Sequence, residues 1–314
     1  MSGTSGTELR LLLALICACS LFAAPEAFAG GDNASLRTHI AWQIALERVG
    51  FSPGVVDGSI GRKTEVATRE FQRVHGLPQT GRLDRATRGA LKVDPASAVT
   101  MYTVAATDVS LVGPVPTDWI AKSLLDRLGY ESVDAALAER FHCTRGLLAR
   151  LNPGRKMKQL RTGDTINVPA IDAAAAPRGE RIEIHLADKI VRVLDRENRL
   201  VALFHCSIAK SRDKLPVGET KVVVVTEKPT YTFDPKMWPE VKGIDRKLLI
   251  PPGPRNPVGL CWIGLGRPGV GIHGSPAPEM IGKTGSHGCF RLTNWDALRL
   301  AKMVRVGTRV RFVG

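Results

Sequence analysis

The dominant hydrophobic period of this chain changes at the alanine-rich run Asp172 to Pro177. Before it, apolar residues recur at helical spacings; after it, they come in short runs broken by glycine and proline. A period near 3.6 and a period of 2 present different faces to a core, so the chain reads as several units rather than one. Its 314 residues, 44% hydrophobic and 24% charged, are enough for two or three cores, and disorder is not the expectation.

The first 29 residues stand apart. Arg10 precedes the apolar run Leu11 to Ala24, and Ala27-Phe28-Ala29 forms a small-x-small cleavage pattern before Gly30-Gly31. This predicts a secretory signal peptide over 1–29; a retained anchor is the alternative, because Glu8 weakens the basic start, and lipid attachment at Cys19 has a poor lead-in. No later segment reaches the roughly 18 apolar residues a membrane helix needs. Removing Glu8, Arg10 and Glu26 with the leader takes the formal charge from +14 to +15. Such a field suits nucleic acid, an anionic membrane surface or a carboxylate-bearing wall polymer. Export disfavours nucleic acid. Of the four cysteines left after processing, Cys206 and Cys261 sit in apolar strand-like runs as small buried hydrophobes, so this is not a disulfide scaffold.

Residues 30–95 predict a small all-α three-helix module. Ile40, Ile44, Leu46 and Val49 form an apolar stripe, a second helix runs from Thr64 to Val74, and a third starts at Asp84 as N-cap. The stretch from Val56 to Leu91 resembles the peptidoglycan-binding domain of the three-helix type. The resemblance is carried by Asp57-Gly58, Gly61, Thr64, Phe71-Gln72, Gly76-Leu77, Thr80-Gly81 and Thr87. The alternative is a bundle that only packs against its own enzyme.

Residues 100–171 predict a small α+β module: helices over Ser132–Phe141 and Thr144–Leu151, a turn at Asn152-Pro153-Gly154, and a closing strand Thr165–Pro169. That order is similar to the LysM glycan-binding module, with Tyr102-Thr103-Val104 as a displaced first strand. The linker 172–177 follows. The last unit, 178–314, predicts strands over Arg181–Leu186, Ile190–Leu194, Leu200–Ser207, Lys221–Thr226 and Arg309–Val313, a β-rich, sandwich-like or barrel-like domain with one helix over Trp295–Val304.

Reactive side chains and glycines concentrate between Gly271 and Leu292, in GIHGSPAPEMIGKTGSHGCFRL. A thiol attacks carbonyls as its thiolate, so Cys289 needs a base or a cation to lower its pKa from about 8.5. His273 can serve as that base. A tetrahedral oxyanion needs donors, which backbone N–H groups of a glycine turn supply; Gly288 and Cys289 are the candidates.

This segment resembles the L,D-transpeptidase catalytic domain of the YkuD type. The pair His273-Gly274 lies sixteen residues before Cys289 in the block Ser286-His287-Gly288-Cys289, with Arg291 and Asn294 after it; Pro216-x-Gly218 and the run Ile250 to Gly259 agree. Leu215 and Phe290 depart from the usual pattern as packing changes. The resemblance implies Cys289 as nucleophile and His273 as general base, with the Gly274 carbonyl orienting the imidazole in place of an acidic third member. It places His287 and Arg291 at the donor site, Arg291 facing a substrate carboxylate, while Ser286 and Asn294 fix the loop or touch substrate; Asn294 could equally cap the following helix.

The implied reaction is acyl transfer. The thiolate attacks the diaminopimelate carbonyl of a stem tetrapeptide, releases D-Ala, and passes the acyl group to an amine. The acceptor is a second diaminopimelate, giving a 3-3 cross-link, an envelope-protein amine, or a free D-amino acid. The partners are thus peptidoglycan stem peptides and glycan strands, in the periplasm or cell wall, with no nucleic acid and no transmembrane segment once the leader is removed. No cofactor is expected, and a metal set from His273, His287 and Cys289 lacks compact ligand spacing. The rival readings are a wall amidase or peptidase using water on the same residues, and a non-catalytic wall-binding protein.

Overall fold

The structure is a computed structural model that describes residues 31–172, 176–238, 240–286 and 288–314. The leader read over 1–29, linker residues 173–175 and His287 lie outside the described residues. No helix among the described residues is long and apolar enough to cross a membrane.

Three helices come first: α1 (Gly31–Arg48), α2 (Arg62–Val74) and α3 (Arg85–Leu91). The Asp84 carboxylate caps α3 by accepting the Thr87 N–H at 2.8 Å. α1 departs from a one-sided stripe. Residues 40–47 are all buried, whereas Val49 is 40% exposed. The reason is that α1 has two neighbours: Trp42, Ala45 and Leu46 pack with Phe71 and Leu91 of its own unit, while Ile40, Ala41 and Ile44 pack with Leu137, Leu147 and Leu148 of the next.

The middle unit pairs β1 (Val99–Thr103) antiparallel with β2 (Thr165–Pro169). Between them lie α4 (Ala106–Ser110), α5 (Trp119–Ser123), α6 (Val133–Arg140) and α7 (Arg145–Leu151). Thr144 caps α7 by accepting the Leu147 N–H at 3.0 Å. The strand expected at 102–104 thus starts three residues earlier, and α4 and α5 fill the segment that displaced it.

The last unit contains β3 (Arg181–His185), β4 (Ile190–Leu194), β5 (Leu200–His205), β6 (Glu219–Glu227), β7 (Tyr231–Phe233), β8 (Leu248–Ile250), β9 (Cys261–Leu265), β10 (Gly271–His273), β11 (Phe290–Arg291), α8 (Asn294–Met303) and β12 (Arg309–Val313). Eight strands form one sheet in the order β11-β10-β9-β6-β12-β3-β4-β5, and β7 and β8 form a separate ribbon. The sheet curls on itself. β11 and β12 are four places apart, which in a flat sheet is roughly 19 Å, yet the Phe290 and Phe312 rings lie 5.7 Å apart. Its two edges also meet: just beyond β5, Ser207 N–H donates to the Arg291 carbonyl at 2.8 Å, and Arg291 N–H donates back at 3.0 Å. That closure protects both edges and encloses Phe204, Ile263, Ile272, Phe290, Leu300 and Val310.

The three units share cores and buried polar contacts. Ser52 Oγ donates to Asp296 of α8 at 2.9 Å, His142 is hydrogen-bonded to Glu47, and the His142 ring stacks on Trp295 at 4.9 Å. Ile190, Leu200 and Leu203 of the sheet pack into the three-helix core. Deleting the three helices therefore uncovers these aliphatics, at roughly 1.5–3 kcal/mol each. A chain beginning at residue 96 is expected to unfold at markedly lower urea than the longer chain. An unchanged midpoint would show the helices to be a detachable module.

Candidate active site

β10 and β11 run parallel, with Ile272 opposite Phe290 and His273 opposite Arg291. Register partners share a face, and alternate residues along a strand share it too. Ile272 and Phe290, both 0% exposed, point into the core. His273, Arg291 and Cys289, two residues before Arg291, therefore share the other face. There they line a cleft of about 560 Å³ together with Ser286 and Gly288.

His273 is 5% exposed, with Nδ1 at 2.6 Å from the Gly274 carbonyl. A carbonyl can only accept, so Nδ1 carries the proton and Nε2 is left as the basic nitrogen. Burial, only partly opposed by that hydrogen bond, pushes the imidazole pKa down to about 4. Trp262, the register partner of His273 on β9, stacks on it with centroids 5.7 Å apart.

The thiol departs from the low pKa expected of it. Burial raises the Cys289 pKa above its ordinary value, against lowering by the Gly271 N–H and Arg291. Sγ donates to the Gly269 carbonyl at 3.3 Å. Both shifts favour a neutral thiol and a neutral imidazole at neutral pH, so an attack by Cys289 would require its proton to move. With the base neutral above about pH 4, acylation is expected to hold steady from about pH 7 down to about pH 5 and to be lost as the pH falls through 4. A pH–rate profile for thioester formation tests this; an inflection at the ordinary histidine value near 6.5 would contradict it.

Ser286 fixes the catalytic loop: its Oγ donates to the Cys289 carbonyl at 2.5 Å and accepts the Gly288 N–H at 3.2 Å. In this conformation the Gly288 amide is therefore engaged, and the Cys289 N–H is the one without an acceptor among the described residues. Gly288 has φ +150 with open space where a Cβ would go, so glycine is needed for conformation rather than room.

Arg291, expected at the donor site, also has a structural role. One terminal nitrogen donates to the Thr284 and Gly285 carbonyls at 2.9 and 2.7 Å, pinning the loop, while Nε is buried without a partner among the described residues. Asn294 is a correction. It neither caps α8, where Thr293 accepts the Asp296 N–H at 3.2 Å, nor lines the cleft; it is 1% exposed behind it. Gly274 contributes its carbonyl from outside the cleft lining.

Sequence reasoning missed the far wall of the cleft, made by Tyr231, Met237 and Trp238 around the β7–β8 ribbon. α5 braces that ribbon from the middle unit, Trp119 stacking on Phe233 at 4.3 Å. The cluster of aromatics over 231–238 was the available signal. A second cavity, of about 450 Å³, lies between α2 and the 279–283 loop; it is lined by Lys63, Lys189 and Lys283 and contains no thiol. Cys143, Cys206 and Cys261 are buried and unpaired.

Residues 179–312 match the L,D-transpeptidase catalytic domain, and residues 40–91 match a peptidoglycan binding domain. A Bacillus licheniformis protein named as the L,D-transpeptidase YkuD is 32% identical over 176 residues, covering 56% of this chain and 90% of that protein. An Escherichia coli K12 protein named as the L,D-transpeptidase YbiS is 33% identical over 165 residues, covering 52% of this chain and 54% of its own. The Bacillus subtilis protein named for YkuD is 28% identical over 178 residues, again covering 90% of its length.

Proposed function

The chain belongs to the L,D-transpeptidase family, and from that premise we propose that it cross-links peptidoglycan by acyl transfer through Cys289. The observation that carries this is that Cys289 and His273 lie on one face of the sheet, at adjoining parallel strands, and line the same cleft as Arg291. In the first step the Cys289 proton passes to His273 Nε2 as sulfur bonds to the diaminopimelate carbonyl carbon of a stem tetrapeptide. The Cys289 N–H stabilises the oxyanion, joined by the Gly288 N–H once Ser286 Oγ releases it. The carbon–nitrogen bond to D-Ala then breaks, and His273 returns the proton to the departing amine. In the second step an acceptor amine attacks the thioester, His273 takes its proton, and the thiolate leaves to recover it. A buried, neutral imidazole can perform both transfers without a charged third residue, because the Gly274 carbonyl fixes its tautomer.

Arg291, which lines the cleft, offers a charge-assisted bond to a donor carboxylate, and His287 belongs to the same block. Peptidoglycan is the substrate, and the cell envelope the location that goes with it. Residues 1–29 act as the export signal, placing the mature chain in the periplasm or wall. The three-helix unit over 30–95 holds the wall polymer, the unit over 100–171 adds contact with glycan strands, and the unit from 178 to 314 carries the chemistry.

Incubating the protein with purified muropeptides and reading the products by mass spectrometry tests the reading. Expected are loss of D-Ala and 3-3 linked dimers. Products that gain only water, even with amine acceptors present, would make it a hydrolase.

A further inference from the structure

The buried amide of Asn294 presses on the turn that carries His273. Its Oδ1 accepts the Leu260 N–H at 3.0 Å. A Cβ added to Gly259 or Gly274 would lie 2.0 or 2.2 Å from that same oxygen, so both positions are bare backbone where the amide sits. The turn is also held by its strand bonds, Gly274 N–H to the Cys261 carbonyl at 3.1 Å and Leu292 N–H to the His273 carbonyl at 2.8 Å. Because a backbone N–H must meet the oxygen, the orientation of the Asn294 amide is fixed and its NH₂ faces the other way.

That NH₂ meets one partner in its own unit, the Pro254 carbonyl at 3.3 Å, and one in another. Asn294 Nδ2 donates to Glu139 Oε1 of α6 at 2.7 Å. The other Glu139 oxygen takes Arg255 Nη1 at 3.4 Å, and the same nitrogen donates to the Pro276 carbonyl at 3.0 Å, two residues beyond Gly274. Glu131 holds Arg255 from the far side at 2.8 Å. Glu139 is 8% exposed, so these partners are not exchanged for water.

We propose that Glu139 of the middle unit is a positioning residue for His273, holding the Gly274 carbonyl in place through Asn294 on one side and Arg255 on the other. The proposal rests on His273 being the catalytic base. It makes the middle unit part of the catalytic apparatus, whatever it binds. A carbonyl that drifts by an ångström no longer fixes the imidazole's tautomer or aim, and misplacement on that scale costs up to about a hundredfold in rate.

The test compares single-turnover thioester formation on a stem tetrapeptide by the full chain and its variants, each well below its own Tm. Glu139→Ala is expected to lower the maximal acylation rate roughly ten- to a hundredfold with the donor KM nearly unchanged. Its acid limb should move up from pH 4 toward the ordinary histidine range. Glu139→Gln, which keeps an acceptor for Asn294, should recover most of the rate. Asp134→Ala, a buried acid on the same helix bonded to Arg145 at 2.8 Å, should lose stability but keep its rate. If Glu139→Ala does not fold, Arg255→Met carries the comparison, with a several-fold loss of rate expected. A wild-type rate in Glu139→Ala, or an equal loss in Asp134→Ala, overturns the proposal. A wild-type rate in His273→Ala removes the base itself, and the proposal with it, and so is distinguishable from a failure of Glu139 alone.

Discussion

Cys289→Ala is expected to abolish thioester formation on a stem-tetrapeptide donor, a loss of at least roughly 10⁴-fold. The intact mass of the variant should stay that of the free protein at every time point. No other described cysteine can substitute. Cys206 and Cys261 are 0% exposed, and burial pushes their thiols up to about 12. Burial likewise raises the pKa of Cys143, between α6 and α7. Cys206→Ala and Cys261→Ala should therefore acylate at the wild-type rate and cost about 1 kcal/mol of stability in a urea titration. Residual acylation of Cys289→Ala would place the nucleophile elsewhere.

Gly259→Ala is expected to have the largest effect on folding of any single methyl added near the site. Gly259 has φ +64, and its new Cβ would sit 2.0 Å from Asn294 Oδ1 and 2.6 Å from the Gly274 carbonyl carbon. Neither neighbour can yield. Asn294 is clamped by Leu260 and Glu139, and Gly274 is backbone held in the sheet. The left-handed backbone and the overlap together are expected to cost about 3 kcal/mol or more, and the damage falls on the turn that holds the base, so acylation should fall with stability. Gly89→Ala is the counterpart. That position in α3 has ordinary φ and nothing within 4 Å of a Cβ, so the same methyl should stabilise by roughly 0.5–1 kcal/mol through helix propensity. Equal midpoints for the two variants would show that the contact at Gly259 is soft.

The dependence of His273 on Glu139 changes what the accessory units mean. A family active site that is self-contained as a motif is here closed from behind by a helix lying more than a hundred residues earlier, while α5 braces the β7–β8 wall in front. Two contacts from one unit thus bear on both sides of the cleft.

The sequence by itself determined what local chemistry can encode. The change of period at 172–177 separated mainly helical from strand-forming sequence, the Asp84 cap marked a helix start, and the spacing of His273, Ser286, Cys289 and Arg291 marked one reactive loop. Periodicity, capping and glycine spacing act over a few residues, so they survive in one dimension. Only the tertiary structure decided the rest. α1 is buried on more than one side because two units claim it; the Cys289 thiol is raised rather than lowered because the cleft is desolvated; Gly288 N–H is turned to Ser286; and Asn294 faces Glu139 rather than solvent or substrate. Each of these depends on which distant segment supplies the neighbour. Desolvation and buried hydrogen bonding are properties of that neighbour, not of the residue's own stretch of chain.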